Sequence, residues 1–267
     1  NFVSQKEEWK VINEMICRFS SNRHLSMQYH NSIVMEKDHA VSLKQLMTLV
    51  LMLTTFSIHL PAKTVAEIWK TMPDTIVPYL DPQQRQEMPS YASMHVDGSV
   101  DNLLEGKCRM DTLTNSYAHI QLNATKSIQL KLLPISNQDS IVCLVETWLA
   151  GSVDKDSIPT GESAIRFFTQ DWKELSTAQF LGAPSVNDLA GMLTTKPDTM
   201  PEQTYKALKE KLDPQMVLAE INADDNTLHL KISCPLLSKE EYKELHQILV
   251  TRQLSWRNGS YHSVNQQ

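Results

Sequence analysis

The histidines are the first side chains to consider for chemistry, because an imidazole can act as a general base or bind a metal. No two of the histidines after residue 62 lie four residues apart, and none lies beside a cysteine at the spacing of a metal site. His119 and His229 stand at the polar positions of alternating segments, which indicates a solvated strand face. The sequence therefore predicts no metal site and no cofactor, and it assigns no catalytic residue. These histidines are His95, His119, His229, His246 and His262.

Two acidic segments have the residue types of calcium ligands. They are Asp224-Asp225-Asn226 and Asp154-Lys155-Asp156. Neither segment is followed by the glycine and the distal glutamate that complete a calcium-binding loop. We interpret both as turns, in which Asp and Asn side chains hydrogen-bond to their own backbone.

Composition excludes several classes of protein. The chain has seven glycines and contains no G-x-G-x-x-G, P-loop or G-x-S-x-G motif, so the common nucleotide-binding and hydrolase signatures are absent. A net charge of −6 without a basic block argues against nucleic acid as a partner. Beyond residue 62 the cysteines are Cys108, Cys143 and Cys234, with no C-x-x-C spacing. This count excludes a disulfide scaffold and leaves one disulfide open.

Two residues remain as candidates for ligand binding. Trp148 follows the apolar segment 141–145 and precedes a polar loop at 151–161, where an aromatic ring can hold a sugar or a peptide. Packing at the rim of the core is the favoured alternative for Trp148. Asp74 follows Met72-Pro73, where the proline ends a helix and the aspartate caps or turns the chain. That structural role is favoured over binding for Asp74.

Hairpins and short helices must position these side chains. Apolar and polar residues alternate over 118–122 and 128–132, and again over 217–222 and 228–234, which predicts two hairpins with one buried face each. Capping boxes begin helices at Thr64-x-x-Glu67 and Ser238-x-x-Glu241. We expect Trp69 to lie on the buried side of the first helix, since it shares an apolar stripe with Val65, Ile68 and Met72.

These segments predict an α+β protein built on antiparallel sheet. A β-meander is expected over 92–170 and a β-β-α-β unit over 215–262, with short flanking helices. We therefore expect the chain to divide into an N-terminal helix and meander at 63–171, a connection at 172–200, and a second lobe at 201–267. The two sheets form either separate lobes or one continuous sheet, and we favour two lobes.

The chain also contains the pattern of a secretory signal peptide at 35–62. Met35-Glu36-Lys37 opens the segment, Lys37 and Lys44 supply positive charge, 46–58 is apolar, and the segment ends on Ala62. The apolar run is shorter than the roughly 20 residues of a spanning helix, so a membrane anchor is the weaker alternative. Without a cysteine near the cleavage point we expect no lipoprotein, and we expect a periplasmic or secreted protein without a membrane span in its mature form. We expect 1–34 to be a non-native upstream segment with few contacts, and 35–62 to be a projecting helix.

Several segments, in order, resemble those of a known family. They are Trp69-Lys70-Thr71-Met72-Pro73-Asp74-Thr75-Ile76-Val77-Pro78-Tyr79-Leu80, Leu113-Thr114-Asn115-Ser116-Tyr117, Lys131-Leu132-Leu133-Pro134 and Trp256-Arg257-Asn258-Gly259. Together they resemble an uncharacterised family, a domain of unknown function, of exported proteins from Bacteroidetes-type bacteria. Its motif W-x-x-M-P-D-[ST]-[IL]-x-P-Y-L stands just after the signal peptide. The resemblance covers residues 63–262 and implies no catalytic residue. The sequence departs from the family after Thr147, where Trp148-Leu149-Ala150-Gly151 replaces a Cys-x-Pro stretch, so the resemblance gives this loop no role.

Two functions stay open at this point. The first is a non-enzymatic envelope or secreted module that binds another envelope protein or a peptide through sheet and loop surfaces. The alternative is an envelope hydrolase acting on peptide or glycan. A pocket in which histidine and carboxylate groups converge favours the hydrolase, and a shallow polar surface favours the binding module. The sequence does not decide whether the protein is an enzyme.

Overall fold

The computed structural model describes residues 63–96, 98–103, 106–136, 139–150, 160–233 and 237–264. The expectations for 1–34 and 35–62 fall outside these residues, as does Cys234. Residues 60–267 form one compact unit. Within the described part of that unit, no helix is both long enough and apolar enough to cross a membrane.

In the described residues, two antiparallel sheets with short flanking helices form the fold, which confirms the predicted α+β class. The first sheet is a meander of seven strands, each paired with the next in chain order. They are β1 (Ser99–Asp101), β2 (Lys107–Leu113), β3 (Tyr117–Gln121), β4 (Lys126–Ser136), β5 (Asp139–Leu149), β6 (Gly161–Phe168) and β7 (Glu174–Leu175). The second sheet has the order β11-β10-β9-β8. Its strands are β8 (Met216–Ile221), β9 (Thr227–Ser233), β10 (Arg252–Arg257) and β11 (Ser260–Ser263).

Short helices flank the sheets, and the sequence explains where the capped ones begin. Thr64 and Glu67 form the predicted capping box, in which the Thr64 N–H donates to the Glu67 carboxylate over 2.7 Å. Ser238 and Glu241 do the same for a later helix. The α-helices of the described residues are α1 (Val65–Lys70), α2 (Pro82–Ser93), α3 (Thr177–Leu181), α4 (Glu202–Glu210) and α5 (Lys239–Leu245), and a 3-10 helix spans Asn187–Leu193.

The meander is covered on both faces. Ile128 and Leu130 of β4 lie in a core shared with α1 and α2. Gln129 and Lys131 point to the opposite face because side chains alternate along a strand. The sequence predicted that these polar positions face solvent, and this prediction was wrong: they are 8% and 2% exposed.

The second sheet covers that opposite face. One hydrophobic core contains Leu133, Cys143 and Val145 of the meander together with Val217 and Leu228 of the second sheet. We therefore find two sheets on one shared core where the sequence favoured two lobes. Cys143 lies in this core and Cys108 lies in the core under the helices, and both are free thiols.

Polar side chains of the meander hydrogen-bond to the backbone groups on the outer edge of β8. The backbone N–H of Ala219 donates to Ser163 Oγ over 3.0 Å, and Ser163 Oγ donates to the Ala219 carbonyl over 3.4 Å. Two residues along, the Ile221 N–H donates to Gln129 Oε1 over 3.0 Å. Gln129 Nε2 returns a bond of 3.5 Å to the Ile221 carbonyl.

Two further hydrogen bonds hold the same edge on either side of Ala219 and Ile221. The Val217 N–H donates to Asn187 Oδ1 over 3.1 Å, and Lys131 Nζ donates to the Ala223 carbonyl over 2.7 Å. A buried strand edge without partners would leave costly unsatisfied backbone groups. We call Asn187, Ser163, Gln129 and Lys131 the edge clamp. Ser163, Gln129 and Lys131 bind the second sheet to the first, and Asn187 binds it to the 3-10 helix.

The first helix anchors the segment that precedes the meander. Trp69 is fully buried, as predicted, in the core beneath α1 and α2. The Trp172 indole N–H donates to the Ile68 carbonyl over 3.1 Å, which joins the helix to the end of the meander.

We expect Trp69→Ala to lower the free energy of unfolding by about 3–5 kcal/mol, because it removes a large buried ring and leaves a cavity. Chemical denaturation of the purified protein measures this loss. Lys70→Ala, at an exposed position of the same helix, is the control and should change stability little. Unchanged stability in Trp69→Ala would contradict the structural role of this residue.

We expect Gln129→Leu to cost about 2–4 kcal/mol of stability, because it leaves the buried N–H and C=O of Ile221 without partners. Hydrogen exchange should also become faster at the Ile221 amide. Gln83→Leu makes the same chemical change on the exposed surface of α2 and should be nearly neutral. Equal effects of the two substitutions would show that the edge clamp does not hold the second sheet.

Candidate functional site

A cleft lies where the second sheet meets the meander. It consists of two adjoining depressions with volumes of about 400 and 520 Å³. Both depressions are lined by the same four side chains, so we treat them as one continuous cleft. The shared residues are His119, Gln129, Glu220 and His229.

The two depressions differ in character. Leu149, Leu218 and Leu230 give the first an apolar lining, and Lys231 adds a charge there. The second is more polar and is lined by Thr112, Tyr117 and Asn222 besides the shared residues. A cleft that combines apolar surface with a few polar groups is typical of a ligand site.

Strand register places two charged or polar side chains of the second sheet side by side. Glu220 of β8 lies directly opposite His229 of β9. Leu218 lies opposite Lys231 in the same way, two residues along. The side chains of Glu220, His229 and Lys231 make no hydrogen bond or ion pair with any part of the chain that the structure describes. These three groups are therefore available to a ligand.

The meander contributes His119, which is oriented by a carboxylate. A β-bulge between Met110 and Thr112 shifts the register of β2, so that Thr112 lies opposite His119. Asp111 lies at the bulge, with its Oδ2 3.2 Å from His119 Nδ1. Asp111 also pairs with the guanidinium of Arg109. With the His119 proton on Nδ1, the ring donates to Asp111 and its Nε2 remains an acceptor.

Neighbouring groups set the electrostatics of the cleft wall. Burial raises the pKa of Tyr117, and the charge of Glu220 acts in the same direction. The Tyr117 hydroxyl accepts a hydrogen bond of 2.9 Å from Gln129 Nε2. Burial lowers the pKa of Lys131, opposed by the charges of Asp225 and Asp224 on the β8–β9 turn.

Trp148 lies outside the cleft. Its ring is half buried, and Lys126 Nζ sits 4.9 Å from the ring centroid. Lys126 also pairs with the buried carboxylate of Glu146 over 3.0 Å and lies 5.6 Å from the ring of Tyr79. The indole therefore already packs against a cation of the same chain.

Asp74 lies outside the cleft as well. Its carboxylate pairs with the guanidinium of Arg85, and the two side chains are 69% and 3% exposed, respectively. Arg85 also donates to the Leu80 carbonyl over 2.6 Å. These contacts tie the segment after α1 to α2 through an ion pair, which the sequence did not predict for Asp74.

The residues that do converge were assigned to solvated strand faces by the sequence. His119 and His229 instead line one cleft, each half buried. One local feature of the sequence indicated His119 and His229, because each occupies a polar position of a predicted hairpin. Their meeting depends on the packing of the two sheets, which local alternation does not encode. Among the described residues, no group of three or more His, Cys, Asp or Glu side chains is placed to hold a metal ion.

Comparisons with known proteins support the fold and the family. No curated protein matches this sequence. A solved structure, described as a domain of an uncharacterized protein from Porphyromonas gingivalis W83, matches with a TM-score of 0.61 and 19% identity. The match covers 77% of this chain and 100% of that chain, and at this identity it shows the shared fold alone. A family model described as a protein of unknown function, DUF3256, matches residues 57–261. The predicted resemblance to an uncharacterised family is thereby confirmed, and the chain belongs to the DUF3256 family.

Proposed function

We propose that the protein is a non-enzymatic exported module that binds a peptide segment, supplied by another envelope protein, in the cleft between its sheets. One observation carries the proposal: Glu220 and His229 of one sheet and His119 of the other converge on a single open cleft. The charged, apolar and small residues in 35–62 support the export part of this proposal, in which the protein works in the periplasm or outside the cell.

The lining of the cleft suits a peptide. A peptide backbone presents donors and acceptors together, and its side chains gain from apolar contact. Glu220 and His229 supply an acceptor and an imidazole without partners in the described chain, while Leu218 and Leu149 supply apolar surface. Such sites need only a few fixed polar groups to orient a ligand.

The described sheet edges favour the cleft over strand addition. β1, β7 and β11 are three, two and four residues long, and short edge strands give little backbone for another chain to pair with. The edge of β8 is filled by Ser163 and Gln129. A peptide therefore gains more contacts in the cleft than along these edges.

The Asp111–His119 pair favours a second candidate, a hydrolase acting on peptide or glycan. A carboxylate at 3.2 Å that orients an imidazole is the arrangement of a general base. No hydroxyl or thiol in the described chain hydrogen-bonds to His119, so a water molecule would have to act as the nucleophile. We therefore prefer the binding module.

We expect the purified protein to select peptides from a phage-displayed random library. We expect His229→Ala to lower the affinity for the selected peptides about tenfold. The loss follows from removing a charge-capable hydrogen-bonding group from the site, at about 1.4 kcal/mol per factor of ten. Fluorescence anisotropy with labelled peptides measures the affinity.

His262→Ala is the matched control, because this histidine is exposed on β11 and its side chain hydrogen-bonds only to Ser260 among the described residues. It should leave the affinity unchanged. Equal losses in both variants would contradict a site in the cleft. Mass spectrometry of the incubated peptides tests the alternative: cleavage that disappears in Asp111→Asn would establish a hydrolase and overturn the non-enzymatic proposal.

We expect protein recovered from the envelope or medium of an expressing bacterium to begin near Lys63. The reason is that 35–62 has the order of an export signal that ends on the small residue Ala62. N-terminal sequencing measures the start of the mature chain. A mature terminus upstream of Met35 would contradict export through this segment.

A further inference from the structure

The two ends of the cleft differ in charge. The second depression is lined by Glu220, Asn222 and Ala223, which lead into the β8–β9 turn, and we call this the turn end. Glu220 is the carboxylate among the residues lining that depression. Asp224 and Asp225 follow at once in the turn. Lys231 lines only the other depression. The turn end therefore carries an excess of negative charge.

Two cations of the meander, Lys131 and Arg109, are already engaged by the fold, whereas His229 lies directly opposite Glu220 on β9. Lys131 is 2% exposed, and its ammonium donates to the Ala223 carbonyl over 2.7 Å, so it is held away from the open cleft. Arg109 pairs with Asp111. The Glu220 side chain makes no ion pair in the described chain, so these cations leave it open to a ligand.

The carboxylates of the turn end are not equivalent. Asp225 accepts a hydrogen bond of 2.7 Å from the Thr227 N–H. Hydrogen bonds from Thr227 lower the pKa of Asp225, so its carboxylate stays ionised and stabilises the turn. Glu220 is exposed, and its carboxylate makes no hydrogen bond or ion pair in the described chain. Glu220 is therefore the acceptor that a ligand can reach.

We propose that the turn end of the cleft binds the cationic side chain of a lysine or arginine in the peptide ligand, with Glu220 as its partner. This inference rests on the proposed peptide-binding function and adds the residue type that the site selects. An ammonium or guanidinium group pairs with a carboxylate by charge-assisted hydrogen bonds, which are stronger than neutral ones. Asp224 and Asp225 add long-range attraction that salt screens.

The test uses hexapeptide pools that are identical except at one fixed position, which is lysine, arginine, norleucine or glutamate. Isothermal titration calorimetry measures the affinity of the full chain for each pool. We expect the lysine and arginine pools to bind about tenfold more tightly than the norleucine pool, and the glutamate pool to bind most weakly. The preference should decrease as salt is added.

Glu220→Gln keeps the shape of the side chain and removes its charge. We expect it to abolish the preference for lysine and arginine, so that the lysine, arginine and norleucine pools bind the variant with similar affinities. Glu210→Gln, an exposed position at the end of α4, is the control and should retain the preference. Because Glu220 is exposed and unbonded, the melting temperature of Glu220→Gln should match that of the unaltered protein.

The possible results separate the two proposals. Equal binding of all pools, or a preference that survives in Glu220→Gln, overturns the cation site while peptide binding stands. Loss of every pool in Glu220→Gln also overturns it, since the charge of Glu220 would then be needed for every peptide and not for a cationic side chain alone. Failure of all pools to bind the unaltered protein overturns peptide binding itself and the cation site with it.

Discussion

The buried edge of β8 is the constraint on which the arrangement of this protein depends. An edge strand exposes N–H and C=O groups that normally pair with another strand or with water. Here the edge lies against the meander, and no further strand pairs with it in the described sheet. Ser163 and Gln129 satisfy Ala219 and Ile221 instead. The two sheets can share a core only because these polar side chains replace the missing strand.

The edge clamp also fixes where the second sheet sits. Its contacts fall on Val217, Ala219 and Ile221, which are two residues apart and so present their backbone groups on the same edge. A shift of β8 by one residue would turn these groups toward β9 and break all of the contacts together. The side chain of Glu220, between two clamped residues, must then point away from the core and into the cleft.

Local features were predictable from the sequence, because they depend on residues close in the chain. The capping box at Thr64 and the tight turn at Asn258-Gly259, where both residues have positive φ angles, are of this kind. The two hairpins followed from alternation alone. What alternation cannot distinguish is a polar side chain that faces water from one that satisfies a distant backbone. Gln129 bonds to Ile221, 92 residues away, and this contact has no signature near either residue.

The same limit explains why the candidate residues changed. Trp148 and Asp74 were singled out for local reasons, a strand end and a turn, and both are engaged with Lys126 and Arg85 of the same chain. His119 and Glu220 acquire interest only when two sheets bring them together.

A polar group of this protein can serve function, and not structure alone, when no other group of the fold already hydrogen-bonds to it. Gln129 and Glu220 line the same cleft, yet the amide of Gln129 is occupied by backbone groups and a tyrosine hydroxyl, whereas the carboxylate of Glu220 is not. Both stand on paired strands and not on loops, so their positions are set before a ligand arrives, which reduces the entropy cost of binding. A rigid cleft in which structural partners are satisfied and a few groups remain free is suited to recognition, and it places selectivity on the free groups.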